Sequence, residues 1–313
     1  MQAKVLLVSS ACLLVVAASP FIGASLDGTE SRFILTQLRV PRSLLGAIVG
    51  GSLGLCGAAY QALFDNPLAT PSTVGTTAGA ALGALAVLVL LPGGQMGLPA
   101  VAIAAFIGAL AVTFAIAAIA ASGRASMNDV LLAGIAITLA TGAITTGLQF
   151  QADMASTFEA VRWSLGHLSQ VGYRGVLMIS PIALICGAIL LSQVRALESM
   201  LGGEDRAHAQ GVDIRRTRTI CLASGAVGVG ACVAWCGPIA FVGLIVPHMV
   251  RLSLGASRRI LLPMSALVGA AFLVACDSLA RVALPGQDLP VGVVTATIGA
   301  PLLVFLVTRR RTH

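Results

Sequence analysis

The chain has 313 residues, of which 57% are hydrophobic and 10% charged, and its mean hydropathy is +0.96. Soluble domains carry about 25% charged residues, so a soluble fold of this size would lack the polar side chains to cover its surface. The composition points instead to a polytopic membrane protein, all-α in class. The formal charge of +7 does not indicate nucleic acid, because the basic residues sit between apolar runs and at the chain ends, where they act as topology signals.

Charges delimit the spans in chain order. The first lies between Lys4 and Asp27 and is read as an uncleaved helix rather than a signal peptide, since the uncharged run Val5 to Leu26 is long enough to cross a bilayer. The second lies between Arg42 and Asp65. No charge occurs between Asp65 and Arg124, too long for one helix, and Pro92-Gly93-Gly94 divides it in two. A fifth span lies between Asp129 and Asp153. Glu159, Arg162 and Trp163 then form a short interfacial helix, and a sixth span runs between Arg174 and Arg195. The apolar run from Thr219 to Val250 would be about 48 Å long as one helix at 1.5 Å per residue. Gly237-Pro238 breaks it into a full helix and a short one carrying Pro247 and His248. Two more spans, between Arg259 and Asp277 and between Asp288 and Arg309, bring the total to ten.

With ten spans and both termini inside, the inner side receives thirteen of the nineteen basic residues and the outer side six: Arg32, Arg39, Arg42, Arg162, Arg174 and Arg281. That satisfies the positive-inside rule. Gly46, Gly50 and Gly54, and likewise Gly79 and Gly83, repeat at the spacing that lets helices approach closely in lipid. The seven cysteines lie mostly inside apolar runs, with no CxxC, and read as small buried hydrophobes.

Polar residues are few and therefore informative. The stretch RVPRSLLGAIVGGSLGLCGAAYQALFDNPLATP, residues 39 to 71, has cations at one end and a polar, proline-broken backbone at the other. Broken backbone at membrane depth is tolerated only against protein or a water-filled cavity, so its end is a candidate pathway lining. Asp277 and Arg281 stand at i, i+4 and can pair. A lone His248 beside proline reads as structural. The one long inner loop, about 195–218, is densely charged. Within it Glu204 to Ala209 is helix-compatible and Gly211 suits a C-cap, which makes a docking element. Lys4 is the sole lysine and lies in no GxxxxGK[ST] context, so any ATP hydrolysis belongs to another subunit.

Three segments carry a resemblance: residues 39–80 from RVPR through NPLATPSTVGTTAGA, residues 237–281 from GPIAFVGLIVPHMVR to DSLAR, and residues 289–307, LPVGVVTATIGAPLLVFLV. Together they resemble the FecCD-type ABC importer permeases, which import iron-siderophores, haem and vitamin B12. The resemblance implies the type II importer architecture, one permease domain over 1–313 with about ten helices per subunit, in a bacterial inner membrane. The chain itself is then no enzyme and carries no cofactor; ATP and magnesium sit on two partner ATPase subunits. The implied partners are a second copy of the chain, those ATPases, and an extracytoplasmic substrate-binding protein.

Residue roles follow from the same resemblance. Arg39, Arg42 and Arg281 match the arginines that face acidic groups of the binding protein, so Arg39→Glu with Arg42→Glu is expected to uncouple transport without loss of expression. Asn66, Pro67 and Leu68, with Ser126, Met127 and Asn128, match the two loops of the inner gate. Glu204, Ala207 and Gly211 match the coupling helix that enters the ATPase groove. Iron chelates rank first as substrate and vitamin B12 close behind, with haem and oxyanions such as molybdate also open. An ATP-independent secondary transporter or channel is the reading of another class; it requires intramembrane carboxylates or an ion site, of which the spans offer few.

Overall fold

The structure is a computed structural model that describes residues 2–23, 31–90, 97–121, 126–284 and 288–309. Asp27, Pro92-Gly93-Gly94, Arg124, Arg310 and Arg311 lie outside the described residues. The described residues hold helices and connecting turns. Helix α1 (Gln2–Ala18) ends in a 3-10 turn, Ser19–Phe21. A single turn, α2 (Ser31–Phe33), passes through a π-helical stretch, Ile34–Arg39, into α3 (Val40–Leu63). There follow α4 (Thr76–Leu90), α5 (Gly97–Ala121), α6 (Met127–Gln151), α7 (Met154–Ser164) and α8 (Arg174–Ser192). The chain continues through α9 (Val194–Met200), α10 (Glu204–Ala209), α11 (Ile214–Cys236), α12 (Val242–Leu254), α13 (Arg258–Ala283) and α14 (Val291–Arg309).

Seven of these segments are long and apolar enough to cross a membrane, and three shorter apolar helices, Thr76–Val89, Val242–Leu254 and Val291–Phe305, complete the ten expected. The interfacial helix expected around Trp163 is α7, and the split of the 219–250 run falls at Gly237, between α11 and α12.

Helix α3 is the hub, buried along most of its length and packed on α8, α11, α12 and α13. The α3–α13 contact is backbone to backbone. A Cβ at Gly54 would run into the Ser265 carbonyl, and one at Gly50 into that of Gly269. The glycine repeat is therefore a packing seam, as small residues are in lipid. The same device joins α4 to α5, where Gly79 and Gly83 face the carbonyls of Gly108 and Ala104. All seven cysteines are buried free thiols.

Two helices are too short to span alone. At 1.5 Å per residue α4 covers about 22 Å and α12 about 20 Å, against a hydrocarbon core of about 30 Å. Each is preceded by a non-helical segment that runs into the bundle. One face of the molecule carries α10 and the start of α13; the opposite face carries Arg42 and the end of α13. From the α10 face, residues 64–75 reach inward before α4 begins. Its first residue, Thr76, hydrogen-bonds through its hydroxyl to Thr113 at 2.8 Å, about 12 Å before the end of α5. From the other face, the end of α11 is held by His167, whose N–H donates to the Cys236 carbonyl at 2.7 Å. Gly243, near the start of α12, already lies against Leu53 and Gly57 of α3. The connection 237–241 therefore carries the chain from the end of α11 inward to α3 without helical turns.

Candidate functional site

The two non-helical segments meet. Leu68 and residues 70–73 from one side, and residues 238–241 from the other, line a cavity of about 250 Å³ closed by Leu53 of α3 and Val229 of α11. Irregular backbone within a membrane needs such a cavity or protein contact to satisfy its polar groups. Local bonding shapes each segment. Asp65 takes φ +45° to stop α3, and the Asn66 side chain accepts from the Leu68 N–H at 2.9 Å. Thr70 and Thr73 exchange side-chain and backbone hydrogen bonds. Phe241 takes φ +68°, a left-handed conformation rare for a bulky residue, and so turns the chain into α12. Among the described residues the lining is apolar apart from hydroxyls of Thr70, Ser72, Thr73 and Thr77, with no charged side chain.

At the opposite face from α10, Arg42 of α3 is bound between two carboxylates. Its Nε donates to Asp277 at 2.9 and 3.1 Å, and its Nη1 donates to Asp288 at 2.6 Å. Arg281 lies 3.4 Å from the same Asp277 and donates to the Ser19 carbonyl at 3.0 Å. Ser19 links Ser43 of α3 and Ser278 of α13 through its hydroxyl, tying the end of α1 into the cluster. Arg39 reaches the Pro20 carbonyl at 3.4 Å. Arg42 is 8% exposed and Asp277 1%, whereas the Asp288 side chain is 54% exposed. Nη1 of Arg281 is buried with no hydrogen-bond partner among the described residues.

At the other face, α10 is a six-residue helix with one buried residue, Ala207, which seats it on the bundle. It closes in a Schellman motif: Gly211 donates to the His208 carbonyl at 2.9 Å and Val212 to that of Ala207 at 3.0 Å. Gly211 takes φ +78°, and open space surrounds it, so backbone conformation and not crowding requires glycine there. Glu204 is exposed and pairs with Arg218 at 2.6 Å. In the preceding α9, Glu198 accepts from the Arg258 N–H at 2.5 Å and from the Ser257 hydroxyl at 3.1 Å, which caps the start of α13.

Residues 5–309 match the FecCD transport family. The chain belongs to the FecCD transport family. It is 41% identical over 281 residues to the cobalamin import system permease protein of Halobacterium salinarum, covering 90% of this chain and 74% of that one. It is 36% identical over 281 residues to the hemin transport system permease protein of Yersinia pestis, covering 89% and 84%. Its fold is similar to a solved metal-chelate type ABC transporter in an inward-facing conformation, with a TM-score of 0.89 at 27% identity over 99% of this chain and 100% of that one. As a FecCD protein it is an ABC importer permease, a non-enzymatic membrane subunit of a family that works with ATPase partners and a binding protein.

Within this FecCD chain the structure groups the residues singled out in the sequence into three places. Arg39, Arg42 and Arg281 come together, and the side chains of Arg42 and Arg281 are buried against Asp277. Asn66, Pro67 and Leu68 form the turn at the mouth of the cavity, with Leu68 53% exposed. Ser126 is the N-cap of α6 in a capping box with Asp129; Met127 and Asn128 begin that helix at the same face. Ala207 faces the bundle, leaving Glu204 and its neighbours on the outside of α10. Sequence reasoning missed Asp288, Glu198 and the 238–241 lining. A capping carboxylate ahead of Ser257 was too distant in sequence to see, whereas a solitary aspartate in a basic, outer setting was a usable signal for Asp288.

Proposed function

We propose that this chain is the permease of an ATP-driven importer for a metal chelate, working as a homodimer with the translocation path at its interface. The match to the family over residues 5–309 carries this reading. The bundle supports it: α13 connects the α10 face, through the Glu198 cap, to the Arg42–Asp277–Arg281 cluster at the opposite face. Two ATPase subunits engage α10, with Glu204 and Gly211 shaping the contact and Ala207 seating it. The binding protein engages Arg39, Arg42 and Arg281 through acidic groups, drawn by the three arginines gathered at that face. Asp288, half exposed on Arg42, holds that arginine until a partner carboxylate replaces it. Asn66, Pro67 and Leu68 of one copy, with Ser126, Met127 and Asn128, close the inner end of the path. The exposed apolar Leu68 suits such a gate. The charge bias of thirteen basic residues against six sets both termini in the cytoplasm.

The substrate reading is an intact chelate, with iron chelates and cobalamin on equal footing. Among the described residues the cavity lining beside the gate turn offers hydroxyls and hydrocarbon but no carboxylate, imidazole or thiol, so it presents no group that would draw a metal out of its chelate. Relatives named for cobalamin and for hemin favour macrocyclic chelates. The test is to purify the tagged chain with its native partners in mild detergent and reconstitute it for nucleotide-dependent uptake of cobalamin, haem and ferric siderophores. Recovery of an ATPase with uptake of one of these supports the reading. Uptake without ATP, or a chain recovered alone under extraction that preserves such complexes, overturns it in favour of a secondary transporter or channel.

A further inference from the structure

A second cavity, of about 230 Å³, opens near the Arg42 face between α5, α8 and α11. Ile103 and Phe106 of α5, Met178 and Ile182 of α8 and Trp235 of α11 line it, and Arg174 is its one charged lining residue among the described residues. Ile103, Met178 and Arg174 are exposed, so the groove is open along the outside of the bundle. From Arg174 to Ile182 it follows α8 for about 12 Å. The groove therefore begins at the level of a helix end and runs into the depth where hydrocarbon lies.

The rim is positive for two reasons. Arg174 takes part in none of the ion pairs among the described residues. It also stands at the start of α8, where the helix dipole adds positive potential. Trp235 is set beside it by Gly175, where a Cβ would run into Gln170 Oε1 and lie 2.5 Å from Trp235 Nε1. Tryptophan at a helix end, with one apolar flank and one polar nitrogen, is a membrane-interface residue. An apolar slot beneath a cation and an interfacial indole is complementary to a lipid with an acyl chain and an anionic head.

We propose that this groove binds one anionic glycerophospholipid, its phosphate at Arg174 and an acyl chain along Met178, Ile103 and Phe106. The groove shares no lining residue with the cavity of about 250 Å³. The chain has two tryptophans, Trp163 and Trp235, so Trp163→Phe isolates the reporter in the groove. The full-length variant is placed in nanodiscs of dioleoylphosphatidylcholine containing brominated phosphatidylglycerol or brominated phosphatidylcholine, and Trp235 fluorescence is read. Phosphatidylglycerol is expected to quench at a mole fraction about five-fold lower, the effect of one cation near an anionic headgroup, and Arg174→Gln is expected to merge the two curves. Equal quenching by both lipids overturns the proposal, since the groove then holds bulk lipid. Quenching by neither also overturns it, since protein then covers the groove. Should Trp163→Phe fail to fold, native mass spectrometry of the unaltered chain and of Arg174→Gln decides the matter. Selective retention of phosphatidylglycerol, lost in the variant, supports the site; equal retention in both refutes it.

Discussion

Replacing Arg42 with alanine separates structure from docking at the arginine cluster. Arg42 and Asp277 are almost fully buried, and the variant leaves the Asp277 carboxylate inside with only Arg281, at 3.4 Å. Removing one partner of a buried ion pair costs about 3–5 kcal/mol. Because Arg281 remains, the lower end applies, about 3 kcal/mol, or about 10²-fold in the unfolding equilibrium. Asp288→Asn removes the other half of the network, but that side chain is half exposed, and exposed pairs are worth about 0–1 kcal/mol. The assay is unfolding of the purified chain in mixed micelles by SDS titration, followed by tryptophan fluorescence. The two variants should differ by about 2 kcal/mol or more. Equal shifts, or a loss below about 1 kcal/mol for Arg42→Ala, would refute the view that Arg42 is first a structural residue. The same geometry corrects the expectation for Arg39→Glu with Arg42→Glu. A glutamate at 42 would face Asp277 and Asp288, so that pair of changes should reduce folded protein as well as transport. Arg39→Glu alone is the cleaner test of docking.

Other outcomes follow from the same physics. Asp288→Ala frees Nη1 of Arg42 and should tighten binding-protein association several-fold in a pull-down at low salt; weaker association would sink the idea that Asp288 holds the arginine in reserve. Gly211→Val forces a β-branched residue into φ +78°, at a cost of about 1–2 kcal/mol; it should abolish transport-linked ATP hydrolysis, with Gly211→Asn milder, and normal hydrolysis in the valine variant refutes the assignment. Leu68→Cys should crosslink between two copies in one nucleotide state, and crosslinking indifferent to nucleotide counts against the gate. Gly54→Ala drives a methyl into the Ser265 carbonyl and should cost about 1–3 kcal/mol in the same SDS titration; a neutral result would mean that the α3–α13 seam relaxes freely.

The sequence by itself determined the membrane class, the ten apolar segments, the break at Gly237, and α10 with its glycine cap. These are local properties: hydropathy, charge spacing and backbone preference act over a few residues and need no partner to be read. The pairing of Asp277 with Arg281 was legible for the same reason, being one helical turn apart. Tertiary structure alone decided that Arg42, far away in the chain, completes that pair and is buried by it, and that Glu198 caps α13. It also decided that two broken segments from opposite faces meet on one cavity. The shortness of α4 was hidden because residues 69–75 are as uncharged as the helix they precede; their conformation is set by the Thr70–Thr73 hydrogen bonds and by the space left between α3 and α11. Burial and long-range pairing depend on which helices pack together, and packing in lipid turns on small-residue seams whose partners no single segment names.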